Sequence, residues 1–171
     1  MQRTVFVMVC AFLPAGCMAE TPADTATMPS VTEEVPEKIC GESRDTYFSA
    51  YSLGDLQAYA DCTTLVGHFQ EDSVTLLLDL AALKNVRKVE GNINIFRSPG
   101  FVTLHGLENL EVVDGSLYIH LNPNLESLRA LGKLHTVTEA LHIQYNDKVP
   151  LADLEWLRPR VTVGGTKTVE P

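Results

Sequence analysis

The residues from Leu80 to Leu151 repeat themselves, and the repetition limits this chain to a small set of architectures. Valines recur at Val89, Val113 and Val137, apolar residues at Ile93, Leu117 and Leu141, and isoleucines at Ile95, Ile119 and Ile143, each series advancing by 24. Leu80, Leu104 and Leu128 keep the same beat, as do Leu83, Leu107 and Leu131, and Val86, Leu110 and Leu134; Leu151, Leu154 and Leu157 follow one residue early. A fixed period of about 20 to 29 residues marks stacked repeats: one unit cannot bury its apolar side alone, and neighbours build a continuous core together. The beat runs back through Leu65, Gly67 and Phe69, so the rungs begin at about Thr63.

Each rung carries a short alternating segment: Gly91-Asn92-Ile93-Asn94-Ile95, Gly115-Ser116-Leu117-Tyr118-Ile119 and Glu139-Ala140-Leu141-His142-Ile143. Period-two alternation points the isoleucines inward and the intervening residues outward. The expected fold is mainly β with short helical turns, a leucine-rich-repeat-like solenoid whose strands stack in parallel about 4.8 Å apart. Gly67, Gly91 and Gly115 precede their strands, where a left-handed or crowded turn demands glycine. Glu139 stands there in the fourth rung, which is expected to bend differently. Ser98, Asn122 and Asn146 follow the strands, and a buried Asn there can satisfy backbone groups that the turn leaves unpaired. Phe101, Leu125 and Val149 then return to the core.

The chain has 171 residues, 45% of them hydrophobic, and a formal net charge of −9. An acidic surface is a poor match for nucleic acid, which needs a basic footprint. Residues 1–16 combine Arg3, an apolar run from Thr4 to Leu13 and the small residues Ala15 and Gly16. This is the pattern of a secretion signal rather than a membrane span. With Cys17 next, it resembles a bacterial lipoprotein signal in which the cysteine is acylated, although Pro14 occupies a place that usually holds an aliphatic residue. Cleavage after Ala19, giving a soluble secreted protein, is the alternative. Several acyl chains on one cysteine would anchor the protein firmly. Met18 is not the aspartate that retains some lipoproteins at the inner membrane, which favours the outer membrane or cell surface. Residues 17–38 hold Pro22, Pro29 and Pro36 among threonines and acids, a composition that reads as a disordered tether. No later stretch is apolar enough to cross a bilayer.

Cys10 lies in the signal and Cys17 at its end, leaving Cys40 and Cys62, which in an exported protein can pair in one way. Structural zinc needs more ligands than two cysteines supply. Between them, Thr46 to Ala60 carries Tyr47, Phe48, Tyr51, Leu53, Leu56 and Tyr59, read as a helix-turn cap over the first rung.

Cys40-Gly41, a spacer, Cys62-Thr63-Thr64-Leu65-Val66-Gly67-His68-Phe69 and then Leu-x-x-Leu-x-x-Val-x-x-Val-x-Gly-x-Ile-x-Ile repeats resemble the receptor L domain over about residues 39–164. This is the ligand-binding repeat domain of insulin- and epidermal-growth-factor-type receptors, with similar domains in fungal cell-wall proteins. The resemblance implies a short right-handed β-helix and an N-terminal disulfide between Cys40 and Cys62. No cysteine-rich module, second such domain, membrane span or kinase is evident, so receptor signalling is not carried over. The C-terminal capping disulfide is also missing, and Leu154, Leu157, Val161 and Val163 are expected to close the last rung, with residues 165–171 as a tail.

The outward strand positions fall into three columns: His68, Asn92, Ser116 and Ala140; Gln70, Asn94, Tyr118 and His142; Asp72, Phe96, His120 and Gln144. Aromatic and histidine side chains combine apolar area with a polar handle, as recognition surfaces favour. The candidate ligand-binding face is therefore Asn92, Asn94, Phe96, Tyr118, His120, His142 and Gln144, set against the plainer reading of a solvated sheet face. His120 and His142 sit on adjacent rungs without a carboxylate or cysteine to complete a metal site. A hydrolytic site would need clustered carboxylates, and the outward columns supply Asp72 alone. Glu90 and Asp114 read as solvated turn residues rather than an acid pair. No catalytic residue, cofactor or metal is expected. The functional expectation is a non-catalytic envelope module that binds an extracellular or envelope protein or glycan. The alternative is a structural envelope protein acting through self-association or wall contacts.

Overall fold

Each repeat contributes two strands where the alternation pointed to one, because the valine column builds a ladder of its own. The computed structural model describes residues 36–48, 56–73, 75 and 80–171. Among these, β1 (Ile39–Cys40), β3 (Thr64–Val66), β5 (Lys88–Glu90), β7 (Val112–Val113), β9 (Thr136–Val137) and β11 (Thr162–Val163) form one parallel sheet in that order. A second parallel sheet runs β2 (Tyr47–Phe48), β4 (His68–Asp72), β6 (Ile93–Phe96), β8 (Leu117–His120), β10 (Leu141–Gln144) and β12 (Lys167–Val169). The protein is thus mainly β, with little helix.

The register carries the sequence period into space. Leu65 lies opposite Val89, Val89 opposite Val113, and Val113 opposite Val137 in the first sheet. In the second, Ile93, Leu117 and Leu141 align, as do Ile95, Ile119 and Ile143. A slip of one residue would turn every one of these side chains to water. All are buried, and burying one Leu or Ile side chain stabilises by about 1.5–3 kcal/mol. The leucine series and Phe101, Leu125 and Val149 fill the remaining interior, except that Leu151, which follows the beat one residue early, is 57% exposed.

Short 3₁₀ turns at Ala81–Leu83 and Arg129–Lys133 reverse the chain within rungs. On the last rung the turn becomes a helix, α1 (Leu151–Leu157), which Pro150 precedes and which buries Asp153, Leu154 and Leu157. Asp153 accepts hydrogen bonds from Leu128 N–H at 3.0 Å, Ser127 Oγ at 2.9 Å and Arg129 Nε at 2.6 Å, tying the helix to the rung before it. Burial by itself raises the Asp153 pKa. The bonds from Leu128, Arg129 and Ser127 together outweigh that and hold the carboxyl below its ordinary range.

Polar ladders stitch the rungs as the spacing implied. Asn122 Oδ1 accepts from Ser98 N–H at 3.1 Å while its amide donates to Ile95 O at 3.1 Å. Asn146 repeats the pattern one rung on, accepting from Asn122 N–H and donating to Ile119 O. Gly91 has φ +148°, in the region that favours glycine, and a Cβ there would lie 2.1 Å from Gly67 O. Gly115 is required by crowding alone, 2.4 Å from Gly91 O.

Two expectations need correction. Tyr47 and Phe48, placed at the start of a helical cap, are instead the strand β2, paired in parallel with His68 and Phe69. Residues 56–60 at the end of that segment are helix and turn, whereas residues 49–55 lie outside the described residues, as do the signal, Cys17 and the tether up to residue 35. Residues 165–171, read as a tail, contain β12, whose Lys167, Thr168 and Val169 pair with Leu141, His142 and Ile143. Leu154, Leu157 and Val161 do bury themselves in the last rung, and Val163 packs against that core half-buried. Arg158 donates to Val169 O and Lys167 Nζ to Val161 O at 2.6 Å, so cations cover carbonyls at the outer edge. The disulfide between Cys40 and Cys62 is present and joins β1 to the residue group that opens β3.

Candidate functional site

The outward face of the second sheet gathers the aromatic residues because the register keeps each column in line. Gln70 lies opposite Asn94, Asn94 opposite Tyr118, and Tyr118 opposite His142. Asp72, Phe96, His120 and Gln144 form the neighbouring column. On β6, β8 and β10 the burial alternates strictly, with every outward residue half-buried.

Tyr118 and His142 stack with ring centroids 5.2 Å apart and planes only 2° from parallel. That separation is close to the inter-strand spacing of about 4.8 Å, so the rings stand upright and face along the sheet. His120 meets both edge-on, at 5.9 Å from Tyr118 and 6.1 Å from His142. Burial, with the neighbouring His142 adding to it, holds the His120 pKa below the ordinary imidazole range. Its Nε2 is buried without a hydrogen-bond partner among the described residues. His142 Nε2 lies 2.9 Å from Thr166 Oγ1, which pins the stack from the C-terminal side.

A shallow depression of about 260 Å³ opens beside this stack, lined by Gln70, Glu71, Asp72, Asn94, Phe96, Tyr118 and His120. Arg97 holds Asp72 through two hydrogen bonds, Nε to Oδ1 at 3.3 Å and Nη2 to Oδ2 at 3.0 Å, and its guanidinium lies 4.5 Å over the Phe96 ring. The hydrogen bond from Arg97, with a second from Ser73, keeps the Asp72 carboxyl below its usual range. Charge at this rim is therefore paired within the protein.

Four of the seven expected face residues, Asn94, Phe96, Tyr118 and His120, line the depression. His142 lies behind Tyr118 in the stack. Gln144 is tied away at the C-terminal end, its amide donating to Glu170 Oε1 at 2.5 Å. Asn92 does not present its side chain to a ligand in this arrangement: Oδ1 accepts from Ser116 N–H at 2.7 Å. It belongs to a ladder in which His68 Nδ1 accepts from Asn92 N–H and Ser116 Oγ from Ala140 N–H. The first outward column is consequently structural.

Arg97 escaped the sequence reading. It stands at φ +46° on a corner shared by Ser73, Leu121 and Tyr145, with φ 57° to 60°. Glycine normally marks such corners, and its absence left the 24-residue spacing as the one available signal. At this corner Leu121 and Tyr145 are 42% and 57% exposed. Glu71 was also missed; it occupies the inward position opposite Ile95, buried and partnered. On the other sheet, the like charges of Glu90 and Asp114 are bridged by Arg44, at 3.9 and 2.5 Å, rather than left to solvent. Among the described residues, no group of three or more His, Cys, Asp or Glu side chains is arranged to hold a metal ion.

Among curated proteins none matches the chain. The family model described as Receptor L domain matches residues 61–162, the span that holds the central rungs and the depression. That match covers more than half of the sequence, and the chain belongs to the receptor L domain family.

Proposed function

We propose that this protein is a non-catalytic binding module of the bacterial envelope, holding a protein or glycan on the outward face of its second sheet. The observation that carries the reading is the open depression beside the Tyr118–His142 stack. Aromatic side chains with a polar rim are where binding energy concentrates in recognition surfaces. Membership of the receptor L domain family supports ligand binding in general. In this reading the two sheets wind as a right-handed β-helix over about residues 39–164, which β12 extends. Residues 1–16 are the secretion signal, acylated Cys17 is the anchor, and residues up to 38 are the tether to the outer membrane or cell surface. The sequence pattern of the N-terminus supports that placement, with soluble secretion as the alternative.

Catalysis has no support on this face, since its one exposed carboxylate in the depression, Asp72, is held by Arg97. Self-association through the C-terminal edge is opposed by Arg158 and Lys167, whose cations cover edge carbonyls much as natural sheets blunt their edges. The test compares the full chain with its Tyr118→Ala, His142→Ala variant on arrays of envelope proteins and oligosaccharides, with sedimentation run alongside. Loss of array binding with an unchanged monomer supports the module. Unchanged binding, or an altered oligomeric state without any binding, contradicts it.

A further inference from the structure

Building on the binding-module reading, we infer that the depression beside Tyr118 is a subsite for one uncharged pyranose unit of a glycan. His142 covers the Tyr118 ring on the β10 side. The depression lies on the opposite side, toward β4 and β6, because its lining comes from those strands and β8. The free face of Tyr118 is therefore one wall, already oriented by the stack behind it. A sugar ring has an apolar face of C–H groups and a periphery of hydroxyls, and that face matches an aromatic wall.

The periphery finds its complements below. The amides of Gln70 and Asn94 line the same depression, and among the described residues neither has a hydrogen-bond partner in its side chain. An amide both donates and accepts, which suits hydroxyls that do the same. Asp72 retains acceptor capacity while Arg97 pairs its charge, so this pair offers a ligand hydrogen-bond acceptors without net charge. A carboxylate can accept about four hydrogen bonds, and three are made here, from Arg97 twice and Ser73 once. The volume of about 260 Å³ admits one ring and excludes a folded element.

The experiment uses the full exported chain on three printed arrays: neutral oligosaccharides of hexose and N-acetylhexosamine units, acidic oligosaccharides, and envelope proteins. Wild type is expected to be retained by neutral oligosaccharides. Tyr118→Ala, which removes the wall, and Asn94→Phe, which fills the floor, should each weaken retention about tenfold or more, the loss of one well-placed contact. Tyr118→Phe keeps the face and should stay within about twofold. Circular dichroism checks that each variant is folded. Retention on acidic oligosaccharides alone, or neutral binding that Tyr118→Ala and Asn94→Phe leave intact, overturns the subsite. Capture of an envelope protein that Tyr118→Ala abolishes, without glycan binding, overturns the sugar and leaves the binding face standing. No retention of wild type on any array overturns both.

Discussion

The two sheets are built from the same repeat, yet their outer faces have been put to different uses. Strands of the first sheet are two or three residues long, and the charges beside β5 and β7 are committed to one another. Lys88 reaches Glu90 at 2.6 Å, and Arg44 bridges Glu90 and Asp114 across rungs. The hollow of about 540 Å³ on that side has Glu37, Arg87, Lys88 and Glu111 among its lining residues and no aromatic ring. The second sheet has strands of four or five residues over its central rungs and presents aromatic rings beside the amides of Gln70 and Asn94. Inward positions of the central strands of both sheets are constrained to apolar residues by the shared core, with Glu71 on β4 as a departure among the described residues. Outward positions are free to diverge, and it is there that one face became a knitted wall and the other a surface with something to offer.

The contrast breaks most completely if the shared core is lost. Ile119 lies on the inward side of β8 and is fully buried. Ile119→Asp should cost more than about 4 kcal/mol, since an unpaired charge enters the interior, and leave no thermal transition. A preserved melting point would mean that the inward and outward columns are misassigned. Next in size is the disulfide: reduction, or the Cys40→Ala, Cys62→Ala variant, should remove about 3 kcal/mol of loop-closure stabilisation and lower Tm by several degrees. Asn122→Ala should cost about 2–3 kcal/mol, because it removes the acceptor of Ser98 N–H and the donor to Ile95 O from the interior. A neutral result there would remove the ladder as a source of stability.

A smaller effect separates the faces by pH. The folded-state pKa of His120 is lowered, so between that value and the ordinary one the unfolded chain binds more protons than the native chain. Stability therefore falls as pH drops below about 6.5, and the loss is complete once pH is below the folded value. Asp153 acts in the same direction at lower pH: its folded pKa is also depressed, so its contribution, present above the unfolded carboxylate value, is lost on acidification. Denaturation midpoints from pH 7.5 to 5.5 should show the histidine component, and His120→Gln should flatten it. Smallest of all, Arg44→Ala on the first face should change stability by about 0–1 kcal/mol, as exposed ion pairs do.

Much of this molecule was legible in the sequence wherever a residue type repeats for a physical reason. The inward valines, leucines and isoleucines recur because the core admits little else, and so do the Asn residues that satisfy buried backbone. The outward columns can then be counted off by alternation, which places Asn94, Phe96, Tyr118 and His120 on one face, where they line one depression. What escaped lacked such a signal. Strands of two residues, such as Val112–Val113, are too short to alternate, so the first sheet was hidden inside its own valine column. Tyr47 and Phe48 carry no period of their own and take strand form through pairing with β4. Lys167 to Val169 lie beyond the last repeat of the beat, and their pairing depends on a neighbour 26 residues away. Parity alone points Asn92 outward, and parity does not reveal that the next rung's Ser116 N–H takes up its oxygen.

The measurement that bears most directly on the central claim sets the two faces against each other. Full-length protein would be titrated with whichever neutral oligosaccharide or envelope protein the arrays retain, alongside Tyr118→Ala, His142→Ala from the second sheet and Arg87→Ala, Lys88→Ala from the first. The expected result is a loss of affinity of about tenfold or more in the second-sheet variant and an unchanged Kd in the first-sheet variant, both folded. The opposite pattern, with affinity lost from the first sheet and kept in the second, would contradict the assignment of the binding face.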